Sequence, residues 1–127
     1  MKKSQITSLY RNKMISRIDF HFAQFIMQFS QKYDPDIFLA ATLVSRATQN
    51  GDICLDLNTC AKTAIFENGI HHETLVAPEL KGWLQKLKTF PAIGKPGQKR
   101  PLILDGHHRL YLFRYWEYEM NYQYAMS

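Results

Sequence analysis

Five consecutive residues near the end of the chain, Asp105-Gly106-His107-His108-Arg109, gather a carboxylate, two imidazoles and a guanidinium. A glycine with an arginine three positions on could hold phosphate oxygens if the arginine opened a helix whose first N–H groups faced the anion. The next residues are instead Leu110-Tyr111-Leu112-Phe113, and leucine alternating with aromatic residues is strand patterning. The same residues read more simply as a tight turn. Leu102-Ile103-Leu104 leads into Asp105-Gly106, a dipeptide suited to hairpin turns in which both central positions adopt positive φ. A two-stranded hairpin is therefore expected, with Leu102 and Leu104 pairing near Leu110 and Leu112.

Other chemistry-bearing residues assemble into no recognisable device. His71-His72 and His107-His108 are adjacent pairs, and neighbours in a strand or helix point to different faces, so neither pair chelates alone. Five residues separate Cys54 from Cys60, not the two to four of a zinc knuckle. Gly94-Lys95 is followed by Pro96 rather than Ser or Thr, so no ATP-binding phosphate loop is present. Nothing resembles a nucleophile elbow. No catalytic residue, cofactor-binding residue or metal ligand is assigned, and the chain alone is not expected to be an enzyme.

The elements that carry these residues are mainly helical. Ile6, Leu9, Tyr10 and Met14 fall at helical spacing, predicting a helix over about 4–15. Asp19 is expected to cap a second helix whose apolar set, Phe20 through Phe29, covers more than one face; such a helix belongs in a core or an interface. Asp34 and Pro35 start a third, and Asn50-Gly51 stops it. Next come a short strand over 52–57, a short helix from Asn58 to Ala64 and an irregular stretch over 67–76. Pro78 opens a helix with Leu80, Trp83, Leu84 and Leu87 inward and Lys81, Lys86 and Lys88 outward. Gly94 to Arg100 reads as a mobile basic loop leading to the hairpin and a final helix. The expected fold is α+β and mostly helical: a helical bundle with a short strand and a C-terminal β-hairpin, winged-helix-like in its latter part.

At 127 residues the chain has room for one domain, 1–127. With 46% hydrophobic and 13% aromatic residues it is expected to fold. No apolar run approaches the ~20 residues of a membrane span, and the basic N-terminus lacks the apolar core of a signal peptide. Two cysteines make no disulfide framework, so a cytoplasmic location with free thiols is expected. The net charge of +5 is unevenly laid out: residues 1–50 carry +4, residues 51–80 carry −4 and residues 81–127 carry +5. Positive ends favour nucleic acid or an acidic protein face.

Two families resemble parts of this chain. Asp105-Gly106-His107-His108-Arg109 is similar to the D-G-x-H-R motif of ParB/sulfiredoxin-like domains, although that motif should open a helix. The broader resemblance is to RecD proteins, the alpha subunit of exodeoxyribonuclease V. Leu43-Val44-Ser45, Gly51 and Cys54-Leu55-Asp56-Leu57 match a helix, glycine and strand near the RecD N-terminus. Upstream, Ile18-Asp19-Phe20-His21-Phe22-Ala23 is similar to the family's Leu-Asp-x-x-Phe-Ala. Downstream, Pro101-Leu102-Ile103-Leu104, Gly106, Arg109-Leu110-Tyr111-Leu112, Arg114 and Trp116 resemble its hairpin and exit. The resemblance implies an N-terminal domain that docks the RecD helicase motor onto RecC, within a RecB–RecC–RecD complex acting in DNA double-strand break repair and recombination. ATP and Mg would belong to motor domains that this sequence does not contain, so the chain resembles an isolated N-terminal domain.

These residues support three functional readings. In the first, the chain is a protein assembly module whose partner surface is expected to include Tyr111, Phe113, Tyr115 and Trp116, continuing to Tyr118 and Tyr122, because strand alternation would leave the aromatic face outward; contact with DNA is then indirect. In the second, it is a winged-helix-like nucleic-acid-binding module with Lys95, Lys99, Arg100, Arg109 and Arg114 on phosphate. In the third, it is a ParB/sulfiredoxin-like nucleotide-binding domain using Asp105 to Arg109.

Overall fold

The computed structural model describes residues 15–68 and 73–126, with side chains described outside 64–75 and 121–126. The helix expected over 4–15 lies outside these residues. Along the described chain the elements are α1 (Arg17–Ser30), α2 (Pro35–Gln49), β1 (Leu55–Asp56), α3 (Leu57–Cys60), β2 (Ala64–Asn68), β3 (Glu73–Val76), α4 (Leu80–Thr89), β4 (Ile93–Gly94), β5 (Leu102–Leu104), β6 (Arg109–Leu112) and α5 (Phe113–Met126). The fold is α+β and mostly helical, as expected from sequence.

Capping chemistry sets the helix starts. Ser16, not Asp19, caps α1: its Oγ accepts the Asp19 N–H at 3.2 Å, and Asp19 lies in the first turn. Gln31 ends that helix in the left-handed conformation, at φ 55°. Asp34 caps α2 as expected, Oδ1 accepting the N–H groups of Asp36 and Ile37 at 2.9 and 3.4 Å, with Pro35 at the first helical position. Asn50 closes α2, and Gly51 follows at φ 95°, a conformation that glycine adopts without a Cβ clash.

Helix α2 is the centre of the molecule. Every residue from Ile37 to Ser45 is buried. α1 packs along it through Ala23, Ile26 and Met27. Two buried polar contacts fix neighbouring helices. Ser45 Oγ donates to Asp19 Oδ1 over 2.6 Å, tying α2 to α1. Trp83 Nε1 donates to the Asp36 carbonyl over 2.9 Å, tying α4 to the start of α2. Each hydrogen bond lets a polar group be buried without the penalty of an unmet partner.

The main sheet has strand order β1-β6-β5-β4. β5 and β6 form the predicted antiparallel hairpin, with Leu102 opposite Leu112 and Leu104 opposite Leu110. β4 runs parallel to β5 after only a short excursion, Ile93 opposite Leu102. Gly97, at φ 96°, helps the chain double back. The segment read from sequence as a mobile loop thus begins as a strand. Its turn is held by Lys95 N–H to Gln98 Oε1 at 2.8 Å and Gln98 N–H to the Lys95 carbonyl at 3.0 Å. At Gly94 a Cβ would come within 2.6 Å of Arg100 Cγ.

Three other expectations change. The strand over 52–57 shrinks to two residues because Asp56, rather than Asn58, caps a helix that runs only from Leu57 to Cys60. Residues 67–76 are not irregular throughout: β2 and β3 pair antiparallel, with a shift of register between Ile65 and Asn68. Phe113 does not continue the strand past Leu112 but opens α5.

Trp83 is fully buried between α4 and α2. Trp83→Ala removes that ring and the hydrogen bond from its indole N–H to the Asp36 carbonyl. Urea denaturation is expected to show a loss of roughly 3–5 kcal/mol.

Candidate docking surface and hairpin tip

Asp105 organises the hairpin tip. Its Oδ1 accepts the N–H groups of His107 and Arg109, both at 2.9 Å, and its Oδ2 accepts from Arg109 Nε at 2.9 Å and from the Tyr111 hydroxyl at 3.4 Å. The turn closes through His108 N–H to the Asp105 carbonyl at 3.3 Å. The positive φ falls on His108, at 65°, and on neither Asp105 nor Gly106. This corrects the expected two-residue turn: the tip is a longer turn that ends on a left-handed residue. His108 tolerates that conformation while its carbonyl accepts the Leu57 N–H at 3.0 Å and its Nδ1 lies 3.0 Å from Asn58 Oδ1. Asn58 Nδ2 also donates to the His107 carbonyl at 3.0 Å. The His107 carbonyl and His108 thus hold the hairpin to α3, while Arg109 is engaged by Asp105 within the tip.

Arg109 lies at the start of β6 and not in the first turn of a helix. The arrangement therefore lacks the helix start that a D-G-x-H-R nucleotide site needs. Among the described residues no group of three or more His, Cys, Asp or Glu is placed to hold a metal. Burial pushes the Cys54 thiol up, against the Tyr111 hydroxyl and Arg109 beside it. Burial also pushes Cys60 up to about 11. Both thiols are protonated near neutrality and poor nucleophiles.

The expected aromatic partner face is largely folded inward. Tyr111 is only 3% exposed. Its ring meets the edge of Trp116 at 5.1 Å, interplanar angle 70°, and burial, Cys54 and Asp105 push its hydroxyl up to about 12. α5 turns back beside β6 and covers the face that strand alternation would have left outward. Phe113, Tyr115 and Trp116 are half-buried, and Tyr118 is 70% exposed. The Tyr122 side chain lies outside the described set.

The exposed apolar surface is on α1. Ile18, Phe25 and Phe29 recur at helical spacing on a flank of α1 turned out from Ala23 and Met27, and half-buried Phe22, which also packs on the core, stands at its edge. Ile18 is 62%, Phe25 48% and Phe29 46% exposed. The phenyl rings form a ladder, with centroids 6.5 Å apart from Phe22 to Phe25 and 6.3 Å apart from Phe25 to Phe29. Sequence reasoning saw that this helix is apolar beyond one face. It did not select these four residues, because the inward face could be assigned only once α2 was in place.

The five cations expected on phosphate separate in the structure. Arg109 is committed to Asp105. Arg114 lies over the Tyr115 ring at 5.0 Å, and Arg100 donates to the Pro91 carbonyl at 2.9 Å. Lys95 and Lys99 remain exposed on the turn after β4.

With this geometry in hand, comparison with known proteins is decisive. The model of the family described as "RecBCD enzyme subunit RecD, N-terminal domain" matches residues 11–111. The chain belongs to the RecD N-terminal domain family. It is similar to the RecBCD enzyme subunit RecD of Mycolicibacterium smegmatis, at 29% identity over 82% of this chain and 17% of that protein. It is 30% identical to that of Mycobacterium tuberculosis over 80% of this chain and 16% of the relative. For Buchnera aphidicola the figures are 31%, 86% and 18%. The chain therefore spans less than a fifth of the length of these relatives. Two blocks of the RecD resemblance meet physically here: Asp19 from one and Ser45 from the other share the buried 2.6 Å hydrogen bond between α1 and α2.

Asp105 makes stability depend on acidity. Burial works to raise its pKa, but the Arg109 N–H and guanidinium, together with the His107 N–H, outweigh it and hold the carboxyl below the usual range. A depressed folded-state value means that the carboxylate contributes stability above its unfolded value of about 4, and that the contribution is lost as pH falls through the folded value. Asp105→Asn is expected to be less stable than the parent at neutral pH, with the gap closing on acidification below roughly pH 4; urea denaturation across a pH series measures it.

Proposed function

We propose that this chain is the assembly domain of a RecD-type exodeoxyribonuclease V subunit, and that it docks that subunit onto a RecC-like partner in a cytoplasmic complex acting in DNA double-strand break repair and recombination. The observation that carries this reading is the exposed Ile18, Phe25 and Phe29 face of α1, with half-buried Phe22 at its edge completing the ring ladder. A contiguous aromatic face on a soluble domain is an interaction surface more often than an accident of sequence. The relatives' names, each a subunit of the RecBCD enzyme, support a partner within that assembly. Tyr118 supplies a second exposed aromatic anchor on α5.

The test is binding of a co-purified RecC-like subunit by the 127-residue chain. Phe25→Asp with Phe29→Asp should weaken capture at least tenfold, as expected when central aromatic anchors worth roughly 2 kcal/mol are lost. Circular dichroism should remain that of the parent, because both rings lie on the outer face. Folded variants that bind at parental affinity would move the interface away from α1.

The same reading assigns no catalysis to this chain. Purified material is expected to show neither ATP hydrolysis nor metal-dependent DNA degradation. Activity that co-elutes with the folded domain through successive columns would refute that assignment.

A further inference from the structure

A groove of about 320 Å³ opens between the end of α4, the β4 turn and the hairpin tip. Ile93, Pro96 and Leu104 give it an apolar floor, and Lys88 and Lys95 contribute cations. Asp105 also reaches the groove wall, but both its oxygens are occupied, by two backbone N–H groups, Arg109 and Tyr111. Its charge is therefore offset inside the protein, while Lys88 and Lys95 form no ion pair among the described residues. The surrounding sequence is one-sided: residues 80–104 contain six Lys and Arg and no Asp or Glu. Among the described residues only Lys86 of these six is ion-paired, to Asp34 and Asp36.

We propose that this groove binds the phosphodiester backbone of a single polynucleotide strand, seating one nucleotide, with Lys88 and Lys95 on phosphates and the apolar floor against its sugar or base. Cations continue past the groove at Lys99 and Arg100, which suits a chain of phosphates better than one small anion. An apolar floor accepts an unstacked base; in a duplex the bases face each other and are withheld. The residues of the floor bring no side-chain hydrogen-bonding group, so contact is not selective for base. This goes beyond docking and does not depend on it: the groove lies at the end of α4 and the hairpin tip, whereas the docking face is on α1.

The experiment is fluorescence anisotropy with a labelled oligothymidylate of about 20 nucleotides, titrated between about 50 and 200 mM salt. Lys88→Gln with Lys95→Gln should lower affinity roughly tenfold at the low end and make the log–log salt dependence shallower by about 1.4, the value for two single-strand phosphate contacts. Lys62→Gln with Lys81→Gln removes equal charge outside the groove and should leave binding within about twofold of the parent. Equal weakening by both pairs would reduce the effect to diffuse charge and overturn the site. No binding to the oligonucleotide at the low-salt end, or tighter binding to a duplex of equal length, would overturn the strand assignment. Thymidine monophosphate binding more tightly than the oligonucleotide would mark a mononucleotide pocket and overturn it too. Circular dichroism of each pair checks that the fold is retained.

Discussion

Burial of α2 on almost every side is the constraint on which the rest of the architecture depends. A helix buried around most of its circumference, as α2 is from Ile37 to Ser45, has no stable position at a surface. It needs α1 on one flank, α4 on another and the sheet on a third. Each neighbour contributes apolar packing, but packing alone leaves sliding and rotation cheap. Asp19 to Ser45 and Trp83 to the Asp36 carbonyl remove that freedom, because a helix that slips leaves a buried polar group unmatched. The Lys86 ion pairs to Asp34 and Asp36 sit at the exposed end of the α2–α4 contact and add little in water.

The hairpin is tied in by different means. β6 lies between β1 and β5, so it depends on pairing from both sides. Asp105 concentrates the tip's polar demand in one carboxylate, and Asn58 with the Leu57 N–H fastens the tip to the chain just after β1. Residues about fifty positions apart thereby close the sheet at its far end. Ser30 Oγ does comparable service below, accepting the Ala92 N–H at 3.1 Å just before β4.

Much of this was legible in the residues where local chemistry decides. Asp34-Pro35 and Asn50-Gly51 bracket α2 because caps are local. Trp83, Leu84 and Leu87 mark the inner face of α4 because helical spacing is local. The register of the hairpin could be read from two alternating segments around a turn. The features that escaped depend on tertiary placement. Tyr111 alternates like an outward residue, yet α5 folds over it. Residues 64–76 lack a clean alternation, so β2 and β3 are recognised only through their pairing. The α1 ladder could not be told from core before its inner face was occupied, and Lys88 reads as one more solvated lysine until the hairpin tip comes to stand beside it.

Both outermost strands of the main sheet, β1 and β4, are only two residues long. A foreign strand seeking to extend a sheet needs a row of free main-chain groups, and two residues offer almost none. Partners of this domain are thereby steered away from strand addition and toward recognition through side chains on its faces. Copies of the domain gain the same protection from one another: crowded together, they have little main-chain edge along which to join their main sheets into a continuous aggregate.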